Sequence, residues 1–473
     1  MLTSIATRWT LGVRVLVPLA ALWIEGVPAA IGAVLITEAA IWLARRFGGH
    51  RHGVWLFAAA YGLRIVLIYP SHVLAKLGNG NGALFQDDYT YDLVGEWLAR
   101  IARGDGLTIF AGHQYLLYGL YDYVLMAMYV VFGHTPLLPK LLNAALACLC
   151  AVLLMEIARK AFRPSVGLVA GVAAAILPTM VIWSIVTLKE IPVLFAALIG
   201  LRALQVLSEA PLRSDAAANA LVAFVAALAL TFDLRTTICL ILFGLLLVVA
   251  VVRTQLRPRA WHVAVSGLLL SVVLVGSFFA FRGYVSDRPP AGVLEDVALQ
   301  LRHRRAQEAA AARSQIRSQT DVFTAEGQEI VYAEAVSDAT PFDFFGDVVD
   351  PLGYALFSPA PWQVRSLRDA AASGEMLVWY ALMVCGIFAW RSAPRQRLFL
   401  VCLGLYGVGN WLVLAASEGN LGNLLRHRLM LVPTLVVCSS AGLVWLWPRV
   451  SRVRLPSAAP LEAPRPSGET LSR

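Results

Sequence analysis

Apolar runs parted by short polar segments recur along almost the whole chain, at 9–24, 27–45, 53–76, 116–133, 136–158, 164–187, 190–207, 216–232, 236–252, 261–281, 375–390, 397–416 and 425–447. A helix needs about 17 to 25 such residues to cross a bilayer, so the pattern predicts an all-α integral membrane protein with about 11–13 transmembrane helices. One stretch has a different face pattern. Over 89–103, Val94, Trp97, Leu98 and Ile101 repeat at helical spacing, and Asp92, Glu96, Arg100 and Arg103 lie off that stripe. This predicts an amphipathic helix in the first large extracytoplasmic loop, lying in the interface plane with Trp97 at headgroup level. Gly104-Asp105-Gly106 ends it.

Composition supports the membrane reading. The chain is 59% hydrophobic and 15% charged, with mean hydropathy +0.68, whereas a soluble domain carries about 25% charged residues. The net charge of +9 does not point to nucleic acid, because the cations sit in short loops between apolar runs, as the positive-inside rule requires. That rule places Arg45, Arg46 and Arg51, then Arg159–Arg163, Arg253–Arg259 and Arg391–Arg397, in the cytoplasm. It leaves Asp87, Asp88, Lys189, Glu190, Asp233, Arg235, Arg426, His427 and Arg428 outside. Parity then requires that one run between 116 and 158 does not cross. The better choice is 116–133, which carries Tyr118, Tyr121, Asp122, Tyr123 and Tyr129. The six cysteines all fall in apolar runs and read as small buried apolar residues. The N-terminal segment reads as a retained helix, broken from the next near Glu25-Gly26-Val27-Pro28.

The chain divides into a transmembrane module (1–281) with a carboxylate loop at 77–115, a polar insertion (282–374), C-terminal transmembrane helices (375–447) and a disordered cytoplasmic tail (448–473). The insertion is charged and Ala-rich over 293–319. It turns aromatic at Phe342, Phe344, Phe345, Tyr354, Phe357 and Trp362, a half expected to pack back on the membrane surface.

Candidate chemistry centres on Phe85-Gln86-Asp87-Asp88-Tyr89-Thr90-Tyr91-Asp92. Ionisable residues at a membrane edge are functional hypotheses by default. Asp87 and Asp88 are candidate general bases toward a hydroxyl. Lys189, Arg235, Arg426 and Arg428 are candidate phosphate ligands, Arg through bidentate donors and Lys as a point charge. Tyr89, His113, Glu190 and His427 complete the substrate-binding set. Each has a plainer reading. Either aspartate serves as an N-cap, Lys189 and Glu190 open a helix as an interfacial pair, and Arg426 and Arg428 snorkel from a helix end. No phosphate loop, dinucleotide fingerprint or metal-binding His pair occurs. The Asp pair with Glu190 offers oxygen ligands for a divalent cation, and no other cofactor is expected.

The Asp-Asp pair in the first large outside loop resembles the signature of the GT-C superfamily of polytopic glycosyltransferases, which includes protein O-mannosyltransferases and bacterial lipid A aminoarabinose transferases. Pro139-Lys140-Leu141-Leu142-Asn143, Ala158-Arg159-Lys160-Ala161-Phe162, Leu177-Pro178 and Thr187-Leu188-Lys189-Glu190 are similar to helices of bacterial members. So are Ser358-Pro359-Ala360-Pro361-Trp362 and Leu424-Leu425-Arg426-His427-Arg428. The resemblance covers roughly 55–435, and two extra apolar segments precede the carboxylate loop. It implies a GT-C-like bundle in a bacterial inner membrane. It also implies a polyprenyl-phosphate-linked sugar donor, an envelope acceptor, and inverting transfer outside with an aspartate as base. The base role falls to Asp87 or Asp88, with Asp88 preferred because it adjoins the helix start. An O-antigen-type polymerase would not need the Asp pair. A lipid-linked sugar flippase would call for charges at the midplane and repeated halves.

Overall fold

The computed structural model describes residues 2–48, 52–105, 119–211, 213–256, 352–353, 355–364, 367–417 and 421–453, and among these there is no strand. Among the described residues eight helices are long and apolar enough to cross a membrane, so the chain is a multi-pass membrane protein, all-helical over the residues described. The expected run at 261–281, the Ala-rich half of the insertion and most of the tail lie outside the described residues.

Two helices, α1 (Leu2–Glu25) and α2 (Val27–Gly48), are parted by Gly26 alone, as expected from the Glu25-to-Pro28 break. Next come α3 (Val54–Asn79), α4 (Gln86–Ala102), α5 (Leu120–Phe132) and α6 (Leu137–Ala161). Apolar around its whole circumference, α6 is accordingly the central helix, and it packs against α2, α3, α9 (Glu190–Glu209) and α7 (Pro164–Ile176). After α9 follow α10 (Asp215–Leu234) and α11 (Thr236–Leu256). The C-terminal part holds α12 (Leu367–Ile387), α13 (Arg397–Ser417), α14 (Leu421–His427) and α15 (Val432–Val453). Helices α12 and α15 touch at Gly442, where a Cβ would lie 1.7 Å from the Cys385 carbonyl oxygen. Only glycine permits that approach.

Helix α5 has 13 residues, about 20 Å of helix against a hydrocarbon core of about 30 Å. Both its ends sit at one end of the bundle. Leu120 N–H donates to Asp233 at the end of α10, and His134, just past α5, contacts Asp92. Helix α5, the described part of the 116–133 run, is too short to count among the eight and returns to the end of the bundle from which it starts. The run at 164–187 is not one helix. It breaks at Leu177, with Pro178 opening α8 (Pro178–Ile182), and residues 183–189 are irregular.

The loops given to the cytoplasm by charge meet at the opposite end of the bundle. Arg395 N–H donates to Ala161 O at 2.8 Å, Gln205 Nε2 to Gln396 Oε1 at 2.7 Å, and an Arg253 NH1 hydrogen to Ala210 O at 2.8 Å.

Candidate active site

The carboxylate loop runs from Gly80 to the start of α4. Phe85, in extended conformation, is the N-cap, and no side chain caps the helix. Neither aspartate is the cap; both lie in the first turn, where the helix dipole favours acids.

Adjacent in sequence, the two part in space. Asp88 turns inward and is 1% exposed. Its Oδ1 accepts from Thr187 N–H and its Oδ2 from Leu84 N–H, both at 2.9 Å. The same Oδ2 pairs at 3.2 Å with the equally buried Lys140 Nζ, which also donates to Gly82 O at 2.5 Å. Gly82 lies flat against His72, whose Cε1 would be 2.4 Å from a Cβ there. His72 Nε2 in turn is 3.0 Å from Glu25 Oε1, and Glu25 Oε2 accepts from Leu137 N–H at 3.2 Å. Asp88 is thus a buried knot tying the loop to α6 and the irregular segment.

Asp87, with its side chain 53% exposed, pairs through Oδ2 with Arg426 NH1. Arg426 Nε lies 3.0 Å from Oε1 of Glu190, whose side chain is 2% exposed, and His427 Nε2 is 3.7 Å from the same oxygen. Residues 87, 190, 426 and 427 therefore meet in one group. Lys189, the residue before Glu190, is the N-cap of α9. Burial pushes its ammonium down; Glu190 and Asp122 oppose the shift, while Arg235 and Arg426 add to it. Asp122 and Asp233 converge on the start of α5, where Asp122 Oδ2 accepts from Gly119 N–H at 2.9 Å and Asp233 Oδ2 from Leu120 N–H. Burial raises the Asp122 carboxyl, against the Gly119 bond and Lys189.

Tyr91, one turn from Asp87, is a member that sequence reasoning missed. Burial raises its phenol, helped by Glu190 and Asp122 and opposed by Arg426. Its ring stands edge-on to Tyr121 at 5.4 Å. The missed signal is a spacing of four residues, which puts Tyr91 beside Asp87 on one helix face. Tyr89, two residues on from Asp87, is half-buried and turned about 200° round the helix from it.

Three expectations change. Asp88, preferred as the base, has both carboxylate oxygens engaged in the interior. Arg428 is 2% exposed and donates from Nε to Ala355 O at 2.7 Å and from NH1 to Met376 Sδ at 3.0 Å. It fastens the 352–364 segment to α12, and those partners are not the Asp87–Glu190 group. Asp87, Asp88 and Glu190 do not come together as ion ligands, because the first and last share Arg426 and Asp88 takes Lys140; among the described residues no three such side chains are arranged for a metal. His113 lies outside the described residues.

Lys189 and Glu190 are delivered by the break in the 164–187 run. Irregular backbone at membrane depth survives only where protein satisfies it. Buried Arg64 donates from NH1 to Ala175 O at 3.1 Å, from NH2 to Met180 O at 3.3 Å and from Nε to Ser184 Oγ at 2.8 Å. Asn143 Nδ2 donates to Val186 O at 2.7 Å and Leu188 O at 2.8 Å, while Glu375 Oε1 accepts from Thr179 N–H at 2.9 Å. With Asp88 on Thr187, these side chains hold the segment that ends in Lys189-Glu190. Their signal in the sequence was a polar residue inside an otherwise apolar run.

No protein-family model matches the chain, and no curated protein matches it.

Proposed function

We propose that the chain is a membrane glycosyltransferase, moving a sugar from a polyprenyl-phosphate-linked donor to a hydroxyl of an envelope acceptor on the side where Asp87 sits. This reading places it in a bacterial plasma membrane, with a GT-C-like arrangement. The observation that carries it is the meeting of the exposed carboxylate of Asp87 with Arg426, a cation from a distant part of the chain that also reaches Glu190, next to Lys189 in sequence. One pole accepts a proton and the other grips a phosphate. Asp87 takes the acceptor hydroxyl proton, and the freed oxygen forms a bond to the anomeric carbon. The bond from that carbon to the phosphate oxygen breaks, and polyprenyl phosphate leaves with the electron pair, so the configuration inverts. Arg426, Lys189 and Arg235 stabilise the charge that gathers on the leaving phosphate. The acceptor must offer a hydroxyl, which glycans, lipids and proteins all supply.

Transfer from a radiolabelled polyprenyl-phosphate sugar into native envelope acceptors tests this. A positioned general base is worth about 10²–10⁴-fold, so Asp87→Asn should lose about that much transfer while eluting as folded protein and still binding the donor. Undiminished transfer by that variant would remove the mechanism.

A further inference from the structure

Arg426 presents two edges to two carboxylates of unlike exposure. Its Nε faces Glu190, which is 2% exposed, and its NH1 faces Asp87, which is 53% exposed. Breaking the inner contact would leave a buried charge uncompensated, which is costly. Breaking the outer one returns Asp87 to water, where an exposed ion pair is worth little. The guanidinium is therefore anchored at one edge and exchangeable at the other.

We propose that Arg426 masks Asp87 until a phosphodiester arrives, and that the ligand's phosphate displaces Asp87 from NH1 and so releases the base. The proposal rests on the reading of Arg426 as a phosphate ligand and adds an order to it: phosphate first, free base second. Glu190 keeps the guanidinium in place during the exchange. Lys189 and Arg235 supply the positive field that lets an anion enter beside a displaced carboxylate. A second observation points to a ligand. Glu190 Oε2 is buried and has no hydrogen-bond partner, and neither has Arg426 Nε, whose 3.0 Å approach to Glu190 Oε1 is an ion pair without a hydrogen bond; buried polar groups are normally satisfied. A hydroxyl on the group carried by the phosphate would complete Glu190 Oε2. The ligand class is thus a phosphodiester bearing a hydroxylated group.

The test is the rate at which Asp87 is amidated by a water-soluble carbodiimide and glycinamide, read by peptide mass spectrometry on the full-length protein in detergent. Two probes are compared, dimethyl phosphate and farnesyl methyl phosphate, and thermal shift on the same samples reports whether each binds. Arg426→Gln should raise Asp87 labelling severalfold with no anion present. Arg426→Met should do the same, since it offers Asp87 no donor and no charge, and it guards against a misfolded first variant. A bound phosphodiester should raise wild-type labelling toward the level of the variants. A response to both probes means that the phosphate alone is recognised; a response to the farnesyl probe alone means that the lipid is part of the signal. Labelling unchanged in both folded variants overturns the mask. Labelling unchanged in wild type while a probe binds overturns the release and leaves the phosphate reading standing. Unmasking in the variants with no binding of either probe to wild type overturns the phosphate reading itself.

Discussion

Asp87 and Asp88 differ by one position and about 100° of helix, and that rotation decides their roles. Asp88 meets Lys140, Thr187 and Leu84 in the interior. Breaking a buried pair by removing one charge costs about 3–5 kcal/mol, because the other is left uncompensated. Asp88→Asn and Lys140→Met should each lower unfolding stability in detergent by about that amount. The double variant should lose less than the sum, since the two changes share one interaction. Additive losses in a denaturant titration would show that the pair is not a unit. The sequence announces the Asp-Asp stretch, since two acids between apolar runs need a reason. It does not say which acid turns inward, because that depends on Lys140, 52 positions further along the chain on another helix. Arg64 stands out as a charge inside an apolar run, but its role was illegible for the same reason. It is wholly buried and bonds to Ala60 O, Ala175 O, Met180 O and Ser184, and its need arises only once the 164–187 run breaks at Leu177.

At the scale of elements, α4 shows how an amphipathic helix can bury polar residues beside its apolar stripe. The apolar stripe at Val94, Trp97, Leu98 and Ile101 pointed to a helix lying on the membrane surface. The face buried against the protein runs through Asp88, Asp92, Gly95, Leu98 and Ala99, sharing Leu98 with that stripe, and α4 packs on α5. Gly95 meets Leu125 and Tyr129, while Asp92 accepts from the Tyr129 hydroxyl and sits 3.1 Å from His134 Nε2. Hydrophobic periodicity alone does not reveal the part of a buried face whose partners are polar. The hydrogen bond from His134 to Asp92 raises the His134 imidazole above its ordinary range, against burial; Asp92, Glu96 and Glu25 add charge in the same direction. A raised folded-state value means that the contact stabilises fully below the unfolded value of about 6.5 and is lost as pH climbs through the folded one. The thermal midpoint of wild type should therefore exceed that of His134→Gln most in mildly acidic buffer, and the gap should close above neutrality. A gap that stays constant across that range would show that the imidazolium is not the stabilising form.

The whole molecule has two chemically distinct ends, and this much was legible from loop charge alone. Arg159, Arg163, Arg395 and Arg397 gather at one end, where Arg395 N–H reaches Ala161 O and Arg163 NH2 donates to Val444 O at 3.4 Å. Asp87, Glu190, Arg426, Asp122 and Asp233 gather at the other. Short loops between apolar runs leave the chain little freedom, so assigning each loop to a side nearly fixes how the helices alternate; among the described residues the short α5 departs from that alternation. If the ends are the two sides of a membrane, chemical access must divide the same way. In a cysteine-free background, Asp105→Cys, at the exposed end of the α4 turn, should react with a membrane-impermeant maleimide on intact bacterial cells. Arg395→Cys should react only after permeabilisation, and since its contact with Ala161 is through the backbone, the substitution leaves that contact standing. The reverse result would invert the molecule and put Asp87 in the cytoplasm, where a donor carried on the outer leaflet could not reach it. Labelling of both sites from one side would contradict the alternation itself, because an odd number of crossings must separate the loop after α4 from the loop before α13. The outcome therefore bears on the chemistry as well as the topology, since an enzyme that draws its sugar from a lipid must present its base on the leaflet where that sugar is exposed.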